Sequence, residues 1–230
     1  MSQTMKIDKF TVHYHNKEEV LEIKKEIFAQ HTYYFETINA RPFIIDAGAH
    51  IGMTTLYFKK QFPGAEIIAV EPNSINFKLL EENVWENQLD DVTTIRAALT
   101  SYGDEAEFHA DEAQSWLSTA SLVERAWNGD QDTKPQVVPA IQLSSLITRH
   151  VDLLKLDIEG AEQEVLMEAR EQLPFVKKIL CEFHPHAGQS LVELSEFLER
   201  AGFAIAYSKN GASIKLHQAK GLVMVEATRE

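Results

Sequence analysis

Three groups of charged and polar residues in this chain stand where apolar runs end, and each suggests chemistry. The first is Asp46-Ala47-Gly48-Ala49-His50-Ile51-Gly52, directly after Phe43-Ile44-Ile45. Glycines in a turn after a buried strand let backbone amides approach a ligand closely. Glu71-Pro72-Asn73 ends the next apolar run, Ile67-Ile68-Ala69-Val70. An acid at the end of the second strand of a β-α-β unit is placed to accept both hydroxyls of a ribose, so this stretch reads as a nucleoside site. The second group is Lys155-Leu156-Asp157-Ile158-Glu159-Gly160-Ala161-Glu162, and the third is Glu182-Phe183-His184-Pro185-His186. Carboxylates beside an imidazole can take up and orient a proton.

The glycine spacing narrows the ligand. A dinucleotide fingerprint needs G-x-G-x-x-G so that a pyrophosphate can rest on a helix N-terminus. Here Gly48 and Gly52 are four apart and His50 stands where the middle glycine would be. The pattern D-x-G-x-x-x-G suits a ligand with an amino-acid end in place of phosphates, with Asp46 close to its ammonium. That describes S-adenosylmethionine (SAM), and the stretch resembles the first motif of Rossmann-like methyltransferases. The expected cofactor contacts are Asp46, Gly48, Ala49, His50, Gly52, Glu71, Pro72 and Asn73. An NAD-dependent reductase would share Glu71, but the glycine spacing and the lack of a matched Tyr-x-x-x-Lys pair argue against it. A SAM-binding regulator without catalysis would have no need of Asp157, Glu159 and His184.

The elements that must position these groups follow from periodicity. Phe10 to Tyr14 alternates like a short edge strand, and Asn16 caps a helix from Lys17 to about Gln30 with Val20, Ile23, Ile27 and Phe28 on one stripe. With the aromatic run His31 to Phe35, residues 1–40 read as a helical cap on a domain spanning 41–230. A helix from Ile51 to Gln61, a second carrying Ile75, Leu79, Leu80 and Val84, and a strand from Val92 to Ala97 complete half of a doubly wound sheet, with Ala98 beside the adenine. Residues 100–135 read as an inserted loop with a short strand at Glu105 to His109, and Trp116 and Trp127 either pin it to the core or line an acceptor pocket. A strand near Val137 to Ile141 and a helix from Leu143 to Thr148 lead back to Leu153 to Leu156. Asp157 and Glu159 then sit at the carboxyl end of a central strand, where open α/β sheets bind ligands. Glu162 reads as a first-turn acid that complements the helix dipole. Phe203 to Tyr207 and Leu222 to Val225, joined by a polar connection containing Asn210-Gly211, should close the sheet.

Composition sets the outer limits. The chain has 230 residues, 44% of them hydrophobic, enough for one core, and no Gly-, Ser- or Pro-rich linker divides it. Its 35 acidic against 22 basic residues give a formal net charge of -13, which disfavours nucleic acid and anionic lipid as partners. No apolar stretch approaches about 20 residues and no signal-peptide core follows Met1, so a cytoplasmic protein is expected. The lone Cys181 lies in an apolar run and reads as a small core residue.

Taken together, Ile45 to Gly52, Leu154 to Glu162 and Glu182-Phe183-His184 resemble the FkbM family of SAM-dependent methyltransferases. Lys-x-Asp-x-Glu-Gly-x-Glu is the most specific element. His50 stands where the family usually has Asn, and Gln142-Leu143-Ser144-Ser145-Leu146 replaces a more acidic segment. The resemblance implies the Rossmann-like doubly wound α/β fold of class I methyltransferases, a seven-stranded mixed sheet with the last strand antiparallel. It also implies methyl transfer to a hydroxyl of a small molecule such as a sugar or polyketide-type secondary metabolite. In that setting Asp157, Glu159 and His184 are the expected catalytic residues. His184 would act as a neutral imidazole base with a pH limb near 6.5 and little part in folding, while Asp157 alternatively holds the SAM side. A cation site built from Asp157, Glu159, His184 and His186 is conceivable, but the His-Pro-His spacing constrains the rings, and no metal is expected.

Overall fold

The computed structural model describes residues 2–229 except 112–132 and 187. In chain order the elements are β1 (Gln3–Ile7), β2 (Phe10–Tyr14), α1 (Lys17–Lys24) running into a π-helical turn (Lys25–Ala29), β3 (Phe43–Ala47), α2 (Met53–Gln61), β4 (Glu66–Val70), α3 (Ser74–Glu86), β5 (Val92–Ile95), β6 (Ala98–Leu99), β7 (Glu105–Asp111), β8 (Thr133–Ile141), α4 (Leu143–Leu146), β9 (Leu153–Leu156), α5 (Glu162–Glu168), β10 (Lys178–Phe183), α6 (Leu191–Arg200), β11 (Ala204–Lys209), β12 (Ala212–Ile214) and β13 (Val223–Thr228).

Among the described residues eight strands form the main sheet, in the order β12-β11-β13-β10-β9-β3-β4-β5. β5, β4, β3, β9 and β10 are mutually parallel, and β13 runs antiparallel between β10 and β11. This is the doubly wound order with its antiparallel last strand. The expected count of seven is corrected to eight by β12, which pairs antiparallel with β11. The cause is Asn210-Gly211, where both residues have positive φ, +50° and +77°, as a tight two-residue hairpin turn requires.

The central strands are apolar on both faces because helices cover both. Ile45, Leu154, Leu156, Ile179 and Cys181 pack against α5 and α6 residues such as Val165 and Leu194. Ile44, Leu153 and Leu180 pack with Val20, Ile27 and Phe58 on the other face. With a side-chain period of two, Asp46 and Lys155 fall on the same face as Ile44 and Leu153, and they stand opposite one another in the β3–β9 register.

Two edges of the sequence reading shift. The third strand ends at Ile95, not Ala97, and Ala98 instead pairs with Ala140 in a small second sheet of order β6-β8-β7. The first helix begins at the Asn16 cap, whose carboxamide oxygen accepts the amides of Glu18 and Glu19, but its last turn widens to π geometry. The stretch 1–40 holds the β1–β2 hairpin as well as this helix. The β2 edge is bound to α3: Asn83 and Asn87 each accept a β2 amide, from His13 and Thr11, and return a bond to the carbonyl of the same residue. Trp116 and Trp127 lie outside the described residues.

Candidate active site

β3 leaves the sheet through a turn in which Gly48, His50 and Gly52 all have positive φ. A Cβ on Gly48 would stand 1.7 Å from the Asp157 carbonyl oxygen, so only glycine lets the loop after β9 cross the turn this closely. Gly48 and Ala49 donate their amides to the Val70 carbonyl, tying the turn to the end of β4.

Asp46 is fully buried, and its work is internal. Its Oδ2 accepts hydrogen bonds from Thr54 (2.6 Å) and Thr55 (2.7 Å) on α2, and Oδ1 lies 3.5 Å from Lys155 Nζ. The ammonium beside it is therefore that of Lys155. Lys155 donates to the carbonyls of Gly48 (2.6 Å) and Ala47 (3.2 Å) and stands 3.4 Å from Asp157 Oδ2. Burial pulls the lysine pKa down, but Asp157 and Asp46 outweigh it and hold the group above its ordinary value. One buried cation thus fastens the glycine turn to the strand that carries Asp157.

Glu71 closes the other side. His50 N donates to Oε2 (2.9 Å) and Asn73 N to Oε1 (2.9 Å), which fixes the plane of the carboxylate between two turns. A second lone pair on each oxygen is what a ribose diol needs. Burial pushes the Glu71 pKa up to about 7 despite these two bonds. Pro72 follows it outside any helix or strand, and the Asn73 side chain caps α3 by accepting the amides of Ile75 and Asn76. Ala98 is buried at the start of the strand pair with β8.

At the rim of β9 and β10, Asp157, Glu159 and His184 come together. His184 Nε2 is 3.4 Å from Glu159 Oε2 and 3.9 Å from Asp157 Oδ1. Its Nδ1 lies 2.9 Å from Oε1 of Glu162, a fully buried acid that also accepts the Gly160 amide. Burial alone would lower the imidazole, but the Glu162 hydrogen bond and the charges of Glu159 and Asp157 overcome it, and His184 is held up to about 9. The ring therefore carries its proton at neutral pH. Its proton is held more tightly than the expected limb near 6.5 supposes, and the ring is buried rather than open at the rim. Glu159 is pushed up to about 9 by burial and by Asp157. Its backbone has φ +59°, an uncommon conformation for a residue with a side chain.

Two participants escape a reading of local sequence. Glu162 looks like an ordinary first-turn acid until β10 brings His184 against it. Tyr33 belongs to the aromatic run before β3; its hydroxyl donates between Glu182 Oε2 (2.9 Å) and Asp157 Oδ2 (3.2 Å). The density of aromatics at 31–35 was the available signal. Glu182, half-buried and facing Asp157, is pushed up to about 7 by desolvation and by the Asp157 charge. A cleft of about 140 Å³ runs between Glu26, Ile27 and Tyr33 on one side and the Gly48 to His50 turn, Lys155, Asp157 and Glu159 on the other. His186 turns away, its Nε2 against the Gly160 carbonyl.

A glycine turn after the first parallel strand and an acid on the second define a class I methyltransferase, and the residues present fit a nucleoside with an amino-acid end. The model of the Methyltransferase FkbM domain matches residues 46–205. The chain belongs to the FkbM family of SAM-dependent methyltransferases. "Methyltransferase sdnD" of Sordaria araneosa is 27% identical over 88% of this chain and 89% of its own length. The "31-O-demethyl-FK506 methyltransferase FkbM" of Streptomyces tacrolimicus is 26% identical over 90% of this chain and 92% of its own. Among solved structures, Methyltransferase FkbM from Methylobacillus flagellatus KT shares the fold with a TM-score of 0.57 at 15% identity; it covers 84% of this chain, which spans 45% of that longer one. M. jannaschii TYW2 in complex with AdoMet aligns with all of this chain and 87% of its own, at a TM-score of 0.53 and 15% identity.

Proposed function

We propose that the chain transfers the methyl group of SAM to a hydroxyl oxygen of a small molecule. The observation that carries this reading is the convergence of Asp157, Glu159 and His184 at the strand ends, the two carboxylates lining the cleft beside the glycine turn and the imidazole buried behind them. SAM supplies an electrophilic methyl group. The protein's task is then to hold an acceptor oxygen in line with it and to receive the hydroxyl proton. Asp157 is the more open of the two carboxylates, with 24% of its side chain exposed against 18% for Glu159, so an acceptor reaches it first. Protonated His184, backed by Glu162, keeps a positive charge beside both carboxylates.

The relatives support the same chemistry. One is named for a substrate lacking an O-methyl group, and it is matched over nearly its whole length. The excess of acidic residues favours a neutral or cationic small acceptor over nucleic acid. Among the described residues no helix is long and apolar enough to cross a membrane.

The test is incubation of the purified chain with isotope-labelled SAM and a panel of sugars, polyketides and amines, read by mass spectrometry. Label on a hydroxyl oxygen is the expected result. Label confined to nitrogen or carbon would overturn the reading.

A further inference from the structure

We propose that Asp157, Glu159 and His184 form a binding site for a divalent cation, held through two carboxylate oxygens and one imidazole nitrogen. One ligand atom from each lies within 4.8 Å of the others. The individual separations from His184 Nε2, 3.4 and 3.9 Å, exceed a hydrogen bond. They approach the spacing of neighbouring donors around an ion bonded at about 2.1 Å, which is about 3.0 to 3.4 Å.

Each ligand is also braced from behind. Metal-binding imidazoles characteristically donate their other N–H to a carboxylate or carbonyl, which fixes the ring and its tautomer. Buried Glu162 holds His184 Nδ1 in this way and leaves Nε2 toward Asp157 and Glu159. Asp157 is held through Oδ2 by the Tyr33 hydroxyl and by Lys155, which leaves Oδ1 as the atom facing His184. Glu159 is set by its left-handed backbone. These supports come from Tyr33 and from the stretch Lys155 to Glu162, and they aim three ligand atoms at one point.

Asp157, Glu159 and the neighbouring Glu162 and Glu182 give this rim an excess of carboxylates, and an ion bound at His184 Nε2 takes the place of the proton there. With two oxygen ligands, one nitrogen and no thiolate, the set suits Mn²⁺ or Zn²⁺. Asp157 and Glu159 line the cleft, so the remaining coordination positions open where an acceptor oxygen would enter. That last placement rests on the hydroxyl-methylation reading; the binding itself does not.

The experiment is calorimetric titration of the EDTA-treated full chain with Mn²⁺ and with Zn²⁺, without cofactor or acceptor. One ion per chain is expected, with a rise in melting temperature. Asp157→Asn and Glu159→Gln should each weaken binding at least tenfold. Glu162→Gln, which does not touch the ion, should weaken it by about 10- to 100-fold. Circular dichroism confirms folding of each variant. No stoichiometric binding by the wild type, or equal affinity in folded Asp157→Asn and Glu159→Gln proteins, would overturn the proposal. Loss of ion binding would leave hydroxyl methylation standing, and failure on the acceptor panel would leave the ion site standing.

Discussion

The two halves of the cleft are built from different materials. On the β3–β4 side the cradle is a glycine turn, its amides bonded to Val70 and Glu71, and one carboxylate, all within 26 residues from Asp46 to Glu71. On the β9–β10 side the groups are charged side chains, and the braces behind them come from as far away as Tyr33 and Glu162. A backbone cradle recognises one invariant ligand cheaply. A side-chain cluster can be retuned for chemistry, at the cost of burying charges that depend on one another.

If the halves divide the labour, their variants should fail differently. The largest effect is expected from His184→Ala, which removes the positive charge beside Asp157 and Glu159 and should lower turnover by about 100- to 1,000-fold while leaving SAM affinity near that of the wild type. It should also lower the melting temperature, because Glu162 is left buried without its ring partner. A variant that loses SAM affinity as fully as turnover would erase the distinction. Lys155→Met comes next. Removing the one cation between Asp46 and Asp157 should destabilise the fold by about 3–5 kcal/mol and harm both halves together, as read by denaturant unfolding.

Gly48→Ala should cost about 3 kcal/mol, combining overpacking against the Asp157 carbonyl with a positive φ. Its signature is a displaced cradle: weaker SAM binding even in protein that remains folded. The smallest effect is on Glu71→Ala, a loss of about 1.5–3 kcal/mol in SAM affinity measured by calorimetry, with little change at the rim. The wild-type affinity should also depend on pH. The Glu71 pKa is raised to about 7 in the folded chain, so its ionised form costs stability as pH rises from its unfolded value near 4.5 through 7. That cost disappears below the unfolded value. Ribose hydroxyls favour the ionised form, so SAM affinity should climb through pH 7, and Glu71→Ala should flatten that rise.

The same contrast explains what the sequence reveals. The cradle is legible because Asp46, Gly48, Gly52 and Glu71 lie close along the chain and their spacing maps onto one β-α-β unit. The strand ends at Asp157 and His184 are legible because polar residues interrupt apolar runs there. The partnership of Glu162 with His184 is not, since the two are 22 residues apart and only the β9–β10 pairing unites them. Asp46 reads as a ligand contact from its position in the motif; its internal ties to Thr54, Thr55 and Lys155 are what only side-chain geometry reveals. The eighth strand hides for a different reason. Asn210-Gly211 marks a hairpin, but Ala212-Ser213-Ile214 is too short to show alternation.

The carboxamide bonds between α3 and β2 have a consequence far from the cleft. Asn83 and Asn87 are four apart on a helix, an advance of about 6 Å, and Thr11 and His13 are two apart on a strand, about 6.7 Å. The near match lets one face of a helix stand in for a neighbouring strand, bond for bond. An exposed strand edge is a template on which other chains can add and aggregate. Here that template is already occupied, along β2, by side chains of the same molecule, so the N-terminal hairpin can lie outside the main sheet without offering its β2 edge to a stranger.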